Sequence, residues 1–291
     1  MSEAAFAAAY RYSRDRLDFS MENITINGIN RFALFNKRLI AESLDIDNGV
    51  FRIYRDISHP HDSINRTDAY PQMALIRLPL QIHIPRLTLK HGYIEYKEKN
   101  ARSDSSGKVQ FFDVQAVFTH VTNIASEIKK NNRLGLDFRS RFLNKSLFHA
   151  NLTMLLGDAG GRFTLDASLG PMNAAWLNPM IEPMALAKID HGEIKKLNYH
   201  LDADKIRGRG KLIFLYDNVK VVLLKKDEEK NKYATKVLPT LAASFLMKKS
   251  NPSNGETRTT TVNFERDRHR SIFHLMWKSM FEGVKQTAGM K

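Results

Sequence analysis

The residues of this chain that could do chemistry are few, and their spacing fits no reaction machinery. His59-Pro60-His61-Asp62 sets two imidazoles beside a carboxylate. Spaced around a proline in a polar stretch, they match none of the closed zinc patterns, and no distant partner set is evident. A solvated loop is the simpler reading. Gly157-Asp158-Ala159-Gly160-Gly161 is glycine-rich, but it lacks the lysine of a phosphate loop and the helix that should follow, so it reads as a turn. Neither a Gly-x-Ser-x-Gly elbow nor a His-Glu-x-x-His helix occurs. Asp190, Glu193, Asp202 and Asp204 are carboxylates on strand edges, where charge commonly blocks association, and nothing in the sequence makes two of them converge. With no cysteine, disulfides and thiolate metal sites are excluded. The chain reads as a non-enzyme that needs no cofactor and no metal.

What remains is surface charge and a large apolar content. Lys and Arg total 45 against 31 Asp and Glu, a formal charge of +14 over 291 residues. That balance favours anionic surfaces such as phospholipid headgroups, lipopolysaccharide or nucleic acid, although the basic residues are spread along the chain. Sheet-based single-strand binders expose aromatic residues among cations. Here Tyr93, Phe111 and Tyr199 sit among aliphatic neighbours at core parity, so no nucleic acid is expected. No run approaches the ~20 apolar residues of a spanning helix, and Met1 to Ala9 lacks the basic start and apolar core of a signal peptide. As written, the chain is not expected to insert itself into a bilayer.

The elements that would position such a surface are strands. An apolar residue, a charged one, then Asn-Gly or His-Gly recurs at Ile46-Asp47-Asn48-Gly49, Leu89-Lys90-His91-Gly92 and Ile189-Asp190-His191-Gly192. Glycine reaches positive φ freely and Asn or His tolerates it, so each copy predicts a tight hairpin. Leu17, Phe19 and Met21 alternate, and Ile24 and Ile26 resume on the other parity, as in a bulged strand. Leu80, Ile82 and Ile84 alternate before Pro85, where a second bulge is expected. Further alternating runs at 109–118, 134–142, 148–154, 163–169, 206–216 and 219–224 predict successive antiparallel strands. Gly208 and Gly210 share the inward parity, which either leaves room for a ligand or marks a bent strand. A polar loop is expected between Asp56 and Pro71, a short helix near 172–178 closing at Asn178-Pro179, a charged turn over 225–232 and a helix over 234–249. The best helical pattern is the last. From Arg270 to Lys285, Ile272, Phe273, Met276, Trp277, Met280, Phe281 and Val284 form an apolar stripe.

Several of these segments resemble the AsmA-like family of the Bacteroidota type. The resemblance rests on Leu177-Asn178-Pro179, Ala187 to Ile194, the Gly208-Arg209-Gly210 strand, Leu215 to Val221, Phe273 to Lys278 and Gly283-Val284-Lys285. Leu44 to Arg55 looks like that family's N-terminal strand pair. The resemblance implies a long, curved, β-rich groove of the bridge-like lipid-carrier class, working between the inner and outer membranes of diderm bacteria. Family members usually start with a membrane-spanning helix, which this sequence does not show.

The resulting expectation is a mainly β protein. A long curved antiparallel meander forms a groove or half-barrel, with a few capping helices and a C-terminal amphipathic helix. Residues 1–233 form the groove domain and 234–291 a helix-strand-helix segment packed on or extending it. Candidates for the lipid groove are Leu80, Ile82, Ile84, Leu136, Phe138, Leu152, Met154, Phe163, Leu165, Leu212 and Phe214. Phe273, Trp277, Lys278, Phe281 and Lys285 are candidates for contact with an anionic membrane surface. The expected function is binding and transfer of a phospholipid or other acyl lipid in the periplasm, in support of outer-membrane maintenance. An envelope scaffold whose groove is filled by its own side chains is the first alternative, and a basic β-sheet nucleic-acid binder the second.

Overall fold

The computed structural model describes residues 1–101, 103, 105–227, 232–234 and 248–290, and its body is an open sheet of 12 strands. The chain runs through α1 (Glu3–Ala8), β1 (Asp15–Asn27), α2 (Arg31–Phe35), β2 (Arg38–Ile40) and β3 (Ser43–Asp56). It continues through α3 (Pro71–Ile76), β4 (Gln81–Lys99), β5 (Gly107–Thr122), α4 (Ala125–Lys130), β6 (Arg133–Phe142), β7 (Ser146–Leu155) and β8 (Phe163–Leu169). Next come β9 (Met172–Asn173), a 3-10 turn (Ala174–Leu177), α5 (Asn178–Ala185), β10 (Ala187–Ala203) and β11 (Arg207–Leu223). Last are β12 (Lys225–Asp227), β13 (Lys232–Ala234), β14 (Thr259–Glu265) and α6 (Ile272–Ala288). The mainly β architecture, the open curved sheet and the C-terminal helix are as the sequence predicts.

Strand order is β1-β3-β4-β5-β6-β7-β8-β10-β11-β14, with β2 against β4, β9 against β10, and β12 pairing only with β13. Neighbours from β4 onward are antiparallel, but β3 and β4 run parallel. That pair corrects the expected all-antiparallel meander. Two parallel strands cannot share a hairpin, so residues 57–80, including α3, carry the chain back from the end of β3 to the start of β4. The polar loop predicted for 56–71 is the first part of this crossover. It is tied down: Tyr70 is fully buried and donates to the Asp204 carbonyl at 2.9 Å, and its ring lies 5.8 Å from that of Phe163.

The three Asn-Gly and His-Gly motifs are not hairpins. They lie inside β3, β4 and β10, at register shifts opposite β1, β5 and β11. Asn23, Asn48, His91 and Asp113 all take φ between 49° and 63°. The left-handed residue that would close a turn here makes a bulge instead. Its effect is on parity. In β3 the inward residues are Leu44 and Ile46 before the bulge and Gly49, Phe51 and Ile53 after it. In β1 they are Leu17, Phe19 and Met21, then Ile24 and Ile26, as the sequence predicts. No register shift occurs at Pro85, where a bulge is expected; the residue opposite, His120, takes φ 61°.

Two further expectations change. The helix at 174–177 does not end at Asn178-Pro179 but continues as α5 to Ala185, because proline is tolerated in a first turn and sits there. The charged turn expected over 225–232 is strand at 225–227, and the rest up to 231 lies outside the described residues. So does 235–247, most of the helix expected over 234–249.

Candidate functional site

The bulges keep one face of the sheet apolar from edge to edge. Cross-strand register gives one row as Ile24, Ile46, Leu89, Ala116, Phe138, Ala150, Ala167, Tyr199, Leu212 and Thr260. The next is Ile26, Leu44, Leu87, Phe118, Leu136, Leu152, Leu165, Leu201, Gly210 and Val262. Neither row contains a charge. The opposite face is polar and paired across strands. Asp137 meets Arg139 at 3.0 Å and His149 at 3.1 Å, and His200 meets Asp166 at 2.7 Å. Donating to the Asp166 carboxylate raises the His200 pKa.

Cover on the apolar face is uneven. Over β10, β11 and β14 the trough holds α6, seated by small residues: Ser279, Gly283 and Thr287 face the sheet, and Ser279 Oγ accepts from the Tyr199 hydroxyl at 2.8 Å. A Cβ at Gly283 would stand 2.8 Å from Val262 Cγ2 and 3.2 Å from Leu212 Cβ. The crossover fills the trough beside β8, where Gln72 donates to the Gly161 carbonyl at 3.2 Å. Arg266 staples that segment. It is buried, its guanidinium lies 4.3 Å from the Tyr70 ring centre, and it donates to the Arg66 carbonyl at 2.7 Å. Burial pushes the Tyr70 hydroxyl up to about 12. Met184 of α5 closes over Gly107 at the start of β5.

Toward β1 the cover runs out. Ile46, Phe51, Ile94, Phe118 and Phe138 are only half-buried around Leu89, Val114 and Ala116. Gly49 and Gly92 make room there for the Leu89 side chain, which would meet a Cβ at 2.7 Å and 3.0 Å respectively. On β1 itself Leu17 and Phe19 are each 66% exposed, Ile24 is 54% exposed, and Met21 is exposed beside them. β1 pairs with β3 on one side and ends the sheet on the other.

This divides the sequence-derived groove residues. Ile84, Leu152, Met154, Phe163, Leu165, Leu212 and Phe214 are buried. Those on β7, β8 and β11 belong to a core closed by the chain's own helices and crossover. Leu136, Phe138 and Ile82 are half-buried, and Leu80 is exposed. The room that Gly208 and Gly210 leave is also taken. A Cβ at Gly208 would lie 2.8 Å from Leu201 Cδ1, and one at Gly210 would strike the His200 carbonyl. On α6, Phe273, Lys278 and Phe281 are exposed and Trp277 stacks on Phe281 at 6.5 Å, while Lys285 pairs with Glu282 at 2.9 Å. The β1 stripe was legible as alternation, yet its exposure was not. A strand shows its edge position only when its partners are known.

Polar features do not converge on a reaction centre. His61 lies against Arg270, and burial lowers its pKa, as does that cation. Asp62 is held at about 2 by its paired Arg66 at 2.6 Å. Among the described residues no group of His, Asp and Glu is arranged to hold a metal ion. An open hollow of about 400 Å³ between α1, the ends of β4 and β5, and α5 has a mixed lining in which Glu3, Lys97, Lys108 and Glu182 stand beside Pro179 and Pro183. No described helix is long and apolar enough to cross a membrane. No family model, curated protein or solved structure matches the chain.

Proposed function

We propose that the chain is a lipid-groove module of the diderm envelope, taking acyl chains on the uncovered half of its apolar face. The observation that carries this reading is an apolar face whose cross-strand rows hold no charge over ten strands and which, among the described residues, is covered by helices and crossover from β14 to β5 but is left open over β1 and β3. Hydrocarbon gains ~0.8 kcal/mol per buried methylene, so roughly ten methylenes laid along β1, β3 and β4 offset about 8 kcal/mol of the cost of leaving a bilayer. The headgroup would stay wet at the rim, where Lys and Arg meet a phosphate without a dedicated pocket. The resemblance to AsmA-like proteins supports the same class and a periplasmic, inner-membrane-associated location. A scaffold role is favoured by one observation, the filling of the trough by α6.

Organic extraction and mass spectrometry of protein purified without detergent decide between them. Stoichiometric phospholipid is expected, and Phe19→Asp should remove it while leaving the thermal transition intact. Phe214→Asp places a charge in the core and should cost at least ~3–5 kcal/mol of stability instead. If the unsubstituted protein yields no lipid, the scaffold reading stands.

A further inference from the structure

The end of the sheet where β1 finishes and β3 and β4 begin carries α2, the most exposed apolar element described. Phe32 is 85% and Phe35 88% exposed, and their i, i+3 spacing puts both on one side of the helix. The arrangement is built, not frayed. Asn30 Oδ1 accepts from the Ala33 amide at 2.9 Å, Asn36 Nδ2 donates to the Phe32 carbonyl at 2.9 Å, and Ala33 is buried beneath. β2 lies beside the start of β4, which brings Leu78 and Leu80, both exposed, to the same end. Asn123, just before α4, fixes that approach by donating to the Leu78 and Leu80 carbonyls at 3.4 and 2.9 Å.

Cations outnumber carboxylates at this end. Residues 28–42 contain Arg31, Lys37 and Arg38 against one carboxylate, Glu42, whose side chain lies beside Gly28. α4 adds Lys129, and Arg133 opens β6. Arg31, Lys37, Lys129 and Arg133 are exposed and form no ion pair among the described residues. Protruding aromatics beside unpaired cations that outnumber the carboxylates are complementary to an anionic leaflet, with rings at the headgroup–acyl boundary and cations toward the phosphates. A second copy presenting the same end would bring like charges face to face. We infer that this tip docks the protein onto an anionic lipid bilayer through Phe32 and Phe35. It is a surface distinct from the trough floor and from the exposed stripe of α6.

The test is co-sedimentation with vesicles of phosphatidylglycerol and phosphatidylethanolamine, against vesicles of phosphatidylcholine alone. The protein should pellet with the first and not the second, and raised salt should release it. F32S/F35S should weaken pelleting about tenfold or more, and F273S/F281S should leave it unchanged. Because the chain has no cysteine, Phe35→Cys carrying an environment-sensitive fluorophore gives a second readout. Its emission should shift to the blue on anionic vesicles, while a label at Leu147→Cys, another exposed site, should not respond. Lipid extraction from F32S/F35S reads the trough separately, and its bound lipid should match that of the unsubstituted protein. Docking through this tip is overturned if F32S/F35S pellets like the unsubstituted protein, if F273S/F281S alone abolishes pelleting, or if the label at position 35 stays in water.

Discussion

His274 lies on α6 one turn after Arg270 and one turn before Lys278. Burial and these two cations push its pKa down to about 4; Asp267 opposes the shift and Arg55 of β3 adds slightly to it. The folded state therefore keeps this imidazole neutral where the unfolded chain, near 6.5, already binds a proton. Its contribution to stability is complete above about 6.5 and is lost as pH falls toward about 4. Urea titrations at pH 7 and pH 4.5 should show that loss, and His274→Gln should reduce it; an equal loss in the variant would remove His274 as its source. That Leu152 and Leu212 lie on the apolar face was legible from alternation; that the chain closes over them was not. Nor were Phe32 and Phe35, because a five-residue helix is too short to impose a period on the sequence.

At the scale of elements, α6 shows how a periodic reading finds a helix and only part of its seat: Ile272 is in the core and Met276, Met280 and Val284 of the stripe pack against it. The bulky stripe of Phe273, Trp277 and Phe281 dominates the pattern, yet the side turned to the sheet carries Leu275, Ser279, Gly283 and Thr287. A helix in a trough needs small residues to come close, and hydrophobicity gives them no weight. Gly283→Val should cost ~1–3 kcal/mol by overpacking against Val262 and Leu212. Chemical denaturation measures it, and an unchanged midpoint would mean that α6 is not seated so closely. The Asn-Gly and His-Gly motifs carried a similar ambiguity. Turns and bulges need the same left-handed backbone, and only the face on which the flanking apolar residues resume tells them apart. In β1 that switch was read as a bulge; in β3 the glycine drew the reading to a hairpin.

The whole molecule is a sheet with two unlike ends. One is backed by a helix and threaded by the crossover; the other, among the described residues, is a single layer with both sides of β1 exposed. Local stability follows burial, so amides of β8, β10 and β11 should exchange slowest and those of β1 fastest. Hydrogen exchange read by mass spectrometry tests this, and protection of β1 equal to that of β10 would mean that its exposed face is covered in solution. The open mainly β architecture was legible from the run of alternating segments. The parallel β3/β4 pair was not, since strand direction depends on where a connecting segment travels and not on the strands it joins.

A border strand 13 residues long whose outward amides and carbonyls meet no neighbour among the described residues is also a place where the sheet can be lengthened. Each plank laid there would add about 4.8 Å to the floor and, held to the same stagger, would continue the Leu17 to Ile26 grain.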